Sequence, residues 1–296
     1  MKEKKKIKAA IIGPGNIGID LMMKLLKSES IEVTKMIGRS EGSVGLRMAK
    51  ERGIEGYAIG TNKLDVALSK DDGVEIVFDA SSAAGHTEYY KIIKELGKYA
   101  VDLTPAAIGP YLVPAVDKIN VSLDVDNYNM VTCGGQATIP MVAAISRVVP
   151  VLYGEIVATI ASLSAGVGTR ANIDEFTQTT ANAIVEIGGA KKGKAIIILN
   201  PAEPPILMKD TIYAMVEHVK KEEITESIYD MVRTVQQYVP GYRIVVPPMF
   251  DDNRVTVIIE VEGAADYLPK YSGNLDIMTS AAKAVGEELA IQLMKN

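Results

Sequence analysis

Short apolar runs alternate with amphipathic stretches through the first half of the chain. The apolar runs predict strands at residues 8–12, 31–37, 74–79, 99–103 and 129–132. Between them, apolar residues recur with the helical period, which predicts helices at residues 16–27, 44–52, 86–96 and 110–119. Strands that are separated by helices assemble into a parallel sheet, so the pattern predicts a doubly wound α/β domain.

The pattern changes after Thr138-Ile139-Pro140, where we expect a helix to begin near Ile139 because proline suits a first helical turn. The later strands are longer, partly alternating and joined by short or proline-rich links, which is typical of a mixed, largely antiparallel sheet. They are predicted at residues 155–163, 194–199, 211–219, 242–246 and 254–262, with helices at 172–187, 223–238 and 274–294. We therefore expect a Rossmann-type domain over residues 1–133, completed by a C-terminal helix at 274–296, and an α+β domain over residues 134–273.

Composition narrows the class of protein. The chain has 296 residues, 48% of them hydrophobic, a formal net charge of −5 and one cysteine. Apart from the lysine-rich residues 2–8 it offers no basic surface for nucleic acid, and no apolar run reaches the ~20 residues of a membrane-spanning helix. A lone cysteine excludes a disulfide framework and a cysteine-rich metal site. We expect a cytoplasmic protein that binds neither nucleic acid nor membrane and holds no metal ion.

A glycine-rich turn follows the first predicted strand. Its glycines stand at the first, third and sixth positions and lead into an amphipathic helix, which is the pattern of a dinucleotide-binding turn. Such glycines permit a tight turn, a close approach to a pyrophosphate and close helix packing. The alternative is a glycine-rich turn without a ligand. The residues predicted to contact the cofactor are Gly13, Pro14, Gly15, Asn16, Ile17 and Gly18.

The end of the second predicted strand bears on the choice of cofactor. An acidic residue is expected there to hold the ribose hydroxyls of NAD, but the chain reads Arg39-Ser40-Glu41. Arg39 and Ser40 can instead accept the 2′-phosphate of NADP, and Glu41 lies one position too late to replace the missing carboxylate. Arg39 can equally be a solvated loop charge. NAD is the expected cofactor, with NADP as the open alternative.

Cys133 is the candidate nucleophile. It is predicted to end a strand at the carboxyl edge of the sheet, where ligands of open α/β folds bind, and glycines follow it directly. The amides of Gly134 and Gly135 and the dipole of the next helix can lower the thiol pKa. Gln136 or the same amides can hold a developing oxyanion. The alternative is that Cys133 is a small buried apolar residue.

Four motifs carry a resemblance to a known family that covers essentially the whole chain. They are Cys-Gly-Gly-Gln-Ala-Thr at 133–138, Ser-Ala-Gly-Val-Gly-Thr-Arg-Ala-Asn at 164–172, Asn-Pro-Ala-Glu-Pro-Pro at 200–205 and Gly-Asn-Leu-Asp-Ile-Met-Thr at 273–279. The chain resembles the acylating, CoA-dependent acetaldehyde dehydrogenases that pair with 4-hydroxy-2-oxovalerate aldolases in the bacterial breakdown of aromatic compounds.

The resemblance implies a reaction and a set of roles. Cys133 attacks acetaldehyde, or propionaldehyde, and the oxidised thioester passes to CoA, while Asp210 is a proposed general base. Asp210 can otherwise be a strand-entry or capping carboxylate. The resemblance also implies a homodimer within a heterotetramer with the aldolase, and further cofactor contacts at Ser164, Ala165, Gly166, Val167, Gly168, Thr169, Arg170, Ala171, Asn172 and Asn274.

The two histidines and two rival functions complete the expectations. His86 follows a serine-rich turn at a sheet edge, where it can line the cofactor site, whereas His218 lies on an apolar-rich segment and is interpreted as structural. Arg170 can meet a phosphate or a carboxylate, or form an interface ion pair. The rival functions are a phosphorylating semialdehyde dehydrogenase, which uses phosphate in place of CoA, and a non-catalytic NAD-binding protein.

Overall fold

The computed structural model describes residues 6–60, 64–117 and 121–295. Residues 1–5, 61–63, 118–120 and 296 lie outside the described residues, and so do most of the lysine-rich start and the end of the helix predicted at 110–119. The chain groups into two compact units. One comprises Met1–Pro110, Ile119–Met130 and Ala282–Asn296, and the other comprises Tyr111–Lys118 and Val131–Ala281. The predicted domain boundaries stay a prediction.

The first unit is built on a parallel sheet of six strands in the order β3-β2-β1-β4-β5-β6. This is the strand order of the doubly wound dinucleotide-binding folds, and it confirms the predicted fold class. The strands are β1 (Ile7–Ile12), β2 (Ile31–Gly38), β3 (Glu55–Ala58), β4 (Val74–Asp79), β5 (Tyr99–Asp102) and β6 (Asn127–Asn129). The helices up to this point in the chain are α1 (Asn16–Leu25), α2 (Val44–Lys50), α3 (Leu64–Ala67), α4 (Ala83–Glu95) and α5 (Pro114–Asp117).

The central strands β1 and β4 are buried along nearly their whole length, as expected for a parallel sheet that is covered on both faces. The C-terminal part of the last helix, α10 (Gly273–Lys295), packs on this sheet. A side chain at Gly286 would collide with the ring of Phe78, and Ser28 donates a hydrogen bond to Glu287 at 2.7 Å. Glycine at position 286 therefore permits the close approach of helix and sheet.

The second unit contains a five-stranded sheet in the order β10-β11-β9-β7-β8. All pairs are antiparallel except β7 with β8, so the predicted mixed, largely antiparallel sheet is confirmed. The strands are β7 (Val151–Ala161), β8 (Gly193–Asn200), β9 (Met208–Val216), β10 (Tyr242–Asp251) and β11 (Arg254–Val261). The helices are α6 (Cys133–Ser146), α7 (Val167–Ala171), α8 (Ile173–Glu186) and α9 (Lys221–Gln236), and a short 3-10 helix at Ser162–Ser164 lies between β7 and α7.

The local structure around Cys133 differs from the prediction. Strand β6 ends at Asn129, so the strand predicted at 129–132 is wrong, and Cys133 is the first residue of α6 rather than the end of a strand. The predicted helix start near Ile139 is also wrong, because Thr132 caps the helix earlier by accepting the Gly135 N–H at 2.9 Å. Pro140 therefore lies inside α6. In the structure the glycines after Cys133 belong to a helix, not to a loop.

Candidate active site and dinucleotide pocket

The Cys133 thiol lies at the N-terminus of a helix. The chain turns from β6 into α6 through Val131, whose φ of 60° is unusual for a β-branched residue and marks local backbone strain. Cys133 follows, half-buried, and the backbone N–H groups of Gly134 and of Cys133 itself donate hydrogen bonds to its sulfur. Because α6 spans 14 residues, its dipole also favours a negative charge at this end.

These contacts lower the pKa of the Cys133 thiol by less than burial raises it. Burial raises the pKa of the Cys133 thiol to about 12, and the nearby Asp210 carboxyl adds to the rise. The hydrogen bonds from the Gly134 and Cys133 amides act in the opposite direction and are weaker. The thiol is therefore protonated at neutral pH in the structure as it stands, and its reaction requires a base to take the proton.

Asp210 is a base within electrostatic reach of that thiol. It is the third residue of β9 and shares the inward face of that strand with Ile212 and Ala214. Its Oδ1 accepts the Thr159 N–H at 3.0 Å, whereas Oδ2, which is also buried, has no hydrogen-bond partner among the described residues. Burial raises the pKa of Asp210 well above the ordinary value for an aspartate.

Small residues bring the helix and the strands together. Asp210 pairs with Ala158 across β9 and β7. A Cβ atom on Gly134 would lie 3.2 Å from the Ala158 Cβ and 2.6 Å from the Phe176 Cζ, so a larger residue at position 134 would push the start of α6 away from β7. Glycine at 134 and alanine at 158 therefore set the approach of the thiol to the carboxyl group.

Tyr242 is a site residue that the sequence analysis missed. Its side chain is fully buried, and its hydroxyl donates a hydrogen bond to the Ala137 carbonyl of α6 at 2.7 Å. Burial is the largest cause that raises its pKa, and Tyr238 and Asp210 add to the rise. Tyr242 thus lies between α6 and Asp210. No motif in the sequence distinguished it from the other tyrosines of the chain.

The predicted oxyanion donors are only partly present. The Gln136 amide donates to the Leu112 carbonyl at 2.8 Å, and the Gly135 N–H is occupied by Thr132. The prediction for these two groups is therefore wrong, because the Gly135 N–H is used by the cap of α6 and the Gln136 amide is used by the Leu112 carbonyl. The Gly134 N–H does contact the sulfur, so it remains a candidate donor beside the reacting atom.

A cavity of about 570 Å³ in the first unit lies over the glycine-rich turn. Gly13, Pro14 and Gly15 line it, whereas Asn16, Ile17 and Gly18 belong to the first turn of α1 and are not among the residues that form its wall. Gly13 has φ of 97°, a conformation that favours glycine. A Cβ on Gly15 would meet nothing within 4 Å, so this glycine serves no internal packing. Its open surroundings fit a backbone that a dinucleotide approaches closely.

The same cavity is bounded by the loop after β2. Arg39 and Ser40 line it, together with Ser43, and Ser81 and Ser82 line it from the loop after β4. Both sets of residues follow the carboxyl ends of parallel strands, where ligands of open α/β sheets bind.

His86 does not line this cavity, so that expectation is wrong. It is fully buried on α4, where Nδ1 lies 3.0 Å from Asp79 Oδ2 and Nε2 lies 3.4 Å from Asp102 Oδ2. Asn127 Nδ2 approaches the same Nε2 at 3.1 Å. A neutral ring can therefore accept at Nε2 from Asn127, and a protonated ring can donate there to Asp102. We call His86, Asp79 and Asp102 the His86 cluster.

The remaining oxygens of the His86 cluster also have partners. Asp79 Oδ1 accepts the Ser81 N–H at 2.9 Å, and Asp102 Oδ1 accepts the Thr104 N–H at 2.7 Å. Asn129 donates to Asp102 Oδ2 at 3.0 Å. Asp79 thereby fixes the start of the serine-rich loop that lines the cavity.

The His86 cluster retains protons at neutral pH. Burial lowers the pKa of His86, but the hydrogen bond to Asp79 and the charges of Asp102 and Asp79 outweigh it and raise the pKa above the ordinary value. Burial raises the pKa of Asp102 to about 7, against the opposing effects of His86 and Thr104. The cluster therefore binds more protons than the same side chains bind in water.

Comparison with known proteins places this chain in a family. A profile described as prokaryotic acetaldehyde dehydrogenase, dimerisation, matches residues 133–269. The chain is 61% identical over 287 residues to the acetaldehyde dehydrogenase of Geobacillus stearothermophilus, which covers 96% of both proteins. It is 59% identical over 290 residues to the acetaldehyde dehydrogenase of Bacillus cereus (strain ATCC 10987 / NRS 248), which covers 98% of this chain and 96% of that protein. The chain belongs to the acetaldehyde dehydrogenase family.

The resemblance to acetaldehyde dehydrogenases is thereby confirmed, and the aldolase partnership stays a prediction. Among the described residues, no helix is long and apolar enough to cross a membrane. Within the described ranges, no group of three acidic, histidine or cysteine side chains can hold a metal ion. His218 is exposed at the bend after β9 and is therefore not a core residue.

The predicted cofactor segment at 164–172 is a compact turn in the second unit. Ser164 donates to the Ala161 carbonyl at 2.8 Å. Arg170 donates to the carbonyls of Ser162 at 3.0 Å and Ala165 at 3.2 Å, so its guanidinium closes its own segment. The side chain of Val167 and the surroundings of Gly168 lie outside the described part of the structure. The other members lie in this turn and in α7 or directly next to them, namely Gly166, Thr169, Ala171 and Asn172.

Asn274, the second residue of α10, has a different setting. It is fully buried, and neither its Nδ2 nor its Oδ1 has a hydrogen-bond partner among the described residues. A buried amide without partners is costly, so this side chain fits a residue that binds a polar ligand group.

Proposed function

We propose that this chain is an acylating aldehyde dehydrogenase that converts acetaldehyde, CoA and NAD+ to acetyl-CoA, NADH and a proton. The observation that carries the proposal is the Cys133 thiol at the start of α6, with the buried Asp210 carboxyl close enough to raise its pKa. Family membership supports the choice of acetaldehyde, and propionaldehyde is a second substrate because one methylene changes binding by only about 1–3 kcal/mol in an apolar pocket.

Asp210 is the general base in this proposal. In its ionised form it takes the proton from the Cys133 sulfur, and a carboxylate whose pKa is raised by burial is a stronger base than an ordinary one. The thiolate then adds to the aldehyde carbon and forms a thiohemiacetal, and we assign the Gly134 N–H as the donor that stabilises its oxygen. The oxidised nicotinamide, when bound, is the hydride acceptor, and oxidation of the thiohemiacetal carbon leaves an acyl thioester on Cys133.

Transfer to CoA completes the reaction. Asp210 first releases the proton that it took from Cys133, which is the proton product of the reaction. The ionised carboxylate then accepts the proton of the CoA thiol, the CoA sulfur adds to the thioester carbon, and the carbon–sulfur bond to Cys133 breaks. Cys133 leaves as the thiolate, is stabilised by the amides of Gly134 and of its own backbone, and recovers a proton. The proton that Cys133 recovers comes from Asp210, which returns the carboxyl group to its ionised form for the next turnover.

The dinucleotide is held, in this proposal, by the cavity over Gly13, Pro14 and Gly15, whose open surroundings fit close contact with a pyrophosphate. The family resemblance also implies cofactor-binding roles for Asn274 and for the segment at 164–172 in the second unit. The buried and unpartnered amide of Asn274 supports its assignment.

We also propose that the outer face of the five-stranded sheet forms a homodimer. Ile198, Met215 and Met249 lie on β8, β9 and β10 and are between 40% and 45% exposed, which is unusual for large apolar residues in one sheet. The dimerisation profile that matches this region supports the proposal. A heterotetramer with 4-hydroxy-2-oxovalerate aldolase, and a role in the breakdown of aromatic compounds, follow from the family resemblance.

The experiment that tests the reaction follows NADH formation from acetaldehyde with and without CoA, for the wild-type chain and for Cys133→Ser. We expect a signal that depends on CoA, and a loss of about 10⁴-fold or more in the variant. Unchanged circular dichroism and dinucleotide binding in Cys133→Ser show that the loss is chemical. A near wild-type rate in the variant would refute the mechanism.

Two further arms separate the rival functions. Phosphate or arsenate that replaces CoA would identify a phosphorylating semialdehyde dehydrogenase. Dinucleotide binding without turnover would identify a non-catalytic binding protein. Co-purification with the aldolase, and coupled flux that resists an external aldehyde scavenger, test the partnership.

A further inference from the structure

The dinucleotide cavity has an unusual wall at the end of β2. In dinucleotide folds a carboxylate at this place accepts hydrogen bonds from the ribose hydroxyls of NAD, whereas an arginine accommodates the 2′-phosphate of NADP. Here β2 ends at Gly38, and the next residues along the wall are Arg39 and Ser40. Glu41, the next residue, is exposed and is not part of the wall. The place of the expected carboxylate is therefore taken by a cation and a hydroxyl group.

One carboxylate does line the cavity, but it has a partner elsewhere. Glu88 on α4 is paired with Lys91 at 3.1 Å, and both side chains are exposed. The Arg39 guanidinium, in contrast, has no ion pair and no hydrogen bond with any described residue, so its five donors are open to a ligand. Its charge acts inside the cavity, because it lowers the pKa of the lining residue Tyr89 against the larger raising effect of burial.

The backbone holds Arg39 beside the glycine-rich turn. A Cβ on Gly38 would lie 2.5 Å from the Pro14 Cγ, so only glycine permits β2 to end in contact with this turn. The Arg39 carbonyl accepts the Gly60 N–H at 3.1 Å, directly beyond the pairing of β2 with β3. The position of Arg39 is thus fixed by two neighbouring segments rather than by a free loop.

Two hydroxyl groups lie on the same wall. Ser40 and Ser43 follow Arg39 within four residues, and the Ser43 Oγ has only a long contact of 3.5 Å to the Pro14 carbonyl. A planar guanidinium with adjacent hydroxyl donors is a combination that binds phosphate, because it supplies charge and several hydrogen bonds to the phosphate oxygens.

We propose that this wall binds a phosphate group on the ribose of an adenine nucleotide, with Arg39 as its charged ligand and Ser40 and Ser43 as hydrogen-bond donors. We assign it to the 2′-phosphate of NADP, because the end of the second strand is where the 2′ position of the ribose lies in this fold. The chain therefore binds NADP at least as tightly as NAD. The inference rests on the proposed function in one respect, namely that this cavity is the dinucleotide site.

Nucleotide fragments test the inference by binding alone, without turnover. Isothermal titration compares 5′-AMP, adenosine 2′,5′-bisphosphate and adenosine 3′,5′-bisphosphate, the last of which carries the ribose phosphate of CoA. We expect the 2′,5′-bisphosphate to bind about tenfold or more tightly than 5′-AMP, because one hydrogen-bonded charge pair is worth about that much. Arg39→Ala should remove this gain and leave the affinity for 5′-AMP within about twofold. Ser40→Asp should reverse the preference.

A matched control is Arg47→Ala. Arg47 is an exposed arginine on α2 that does not line the cavity, so its removal changes the net charge equally and should leave the ratio of affinities unchanged. Equal binding of 5′-AMP and the 2′,5′-bisphosphate would overturn the inference and leave the proposed reaction intact. Tighter binding of the 3′,5′-bisphosphate would overturn the 2′ assignment. If no fragment binds, the inference fails together with the assignment of the cavity, whereas the test of Cys133 with CoA stands on its own.

Discussion

The two units of this protein each bury a group of ionisable side chains with raised pKa values, but the two groups differ in how completely their polar atoms are hydrogen-bonded. In the His86 cluster, both ring nitrogens and all four carboxylate oxygens have a partner within 3.4 Å. At the Cys133 site, Asp210 Oδ2 is buried without a partner among the described residues, and burial raises the pKa of both the thiol and the carboxyl group.

This difference distinguishes a structural cluster, at His86, from a site suited to proton transfer, at Cys133. A buried charge that is fully hydrogen-bonded is held in one arrangement and has little tendency to react. A buried carboxylate with one oxygen that lacks a donor has a lone pair available for the proton of a neighbouring group, and this is what a general base requires. The strained φ of Val131, directly before the thiol site, is consistent with a region that is shaped for function at a cost in stability.

Breaking the His86 cluster should have the largest effect on stability. His86→Gln removes the group between two buried carboxylates, so we expect the free energy of unfolding to fall by about 3–5 kcal/mol in chemical denaturation. The exposed His218→Gln is the matched control and should change it by less than about 0.5 kcal/mol. Equal effects of the two variants would show that the cluster is not the structural centre that its contacts indicate.

Removing the proposed base should lower the activity and leave the stability unchanged or higher. Asp210→Asn should lower the rate of acetaldehyde oxidation by about 100-fold or more, because the proton acceptor is lost. The free energy of unfolding at neutral pH should stay the same or rise, since the substitution replaces a carboxyl group that burial makes unfavourable. Asp71→Asn, an exposed aspartate in the first unit, is the control for both measurements. A loss of stability as large as that of His86→Gln would give Asp210 a structural role.

The pH dependence of stability should distinguish the protons of the His86 cluster. Asp102 has a pKa of about 7 in the folded chain against 3.8 ordinarily, and the pKa of His86 is also raised. The folded chain therefore binds extra protons, and the stability that they contribute is present at low pH and is lost as the pH rises through about 7.

The free energy of unfolding can change with pH by at most about 1.4 kcal/mol per pH unit for each extra proton that the folded chain binds. We expect the free energy of unfolding to fall between about pH 5 and pH 7 in denaturant titrations, and the fall to be shallower in Asp102→Asn. Identical slopes in the two proteins would contradict the assignment of the proton to Asp102.

The smallest expected effect concerns the start of α6. Thr132→Ala removes the cap on the Gly135 N–H and the contact of 2.7 Å to Thr180, so the free energy of unfolding should fall by about 1 kcal/mol. Thr132→Ser keeps the hydroxyl group and is the control. Because the cap lies next to Cys133, alkylation of the thiol should become faster in Thr132→Ala only. Equal alkylation rates would mean that the cap does not hold the thiol in place.

Much of the fold was predictable because the relevant signals are local. The period of the apolar residues located the strands of both sheets except β3, which was not predicted, and β6, which was placed too late, and the glycines at 13, 15 and 18 marked the turn before α1. The error at 129–139 has a definite cause. Gly134 and Gly135 indicate a loop in isolation, but in the folded chain they allow α6 to pack against Phe176 and Val131.

The sequence by itself determined the alternation of elements, the family and the identity of the single thiol, since each of these depends on residue type and order. Only the tertiary structure decided which groups meet that thiol. Asp210 approaches Cys133 because β9 pairs with β7 and because position 134 is a glycine that α6 packs through, and Tyr242 joins them from β10. The same holds for His86, which the order of strands β4 and β5 in the sheet places between two aspartates. Contacts between segments distant in sequence depend on strand pairing and on the space left by small side chains, and neither is encoded in a local pattern.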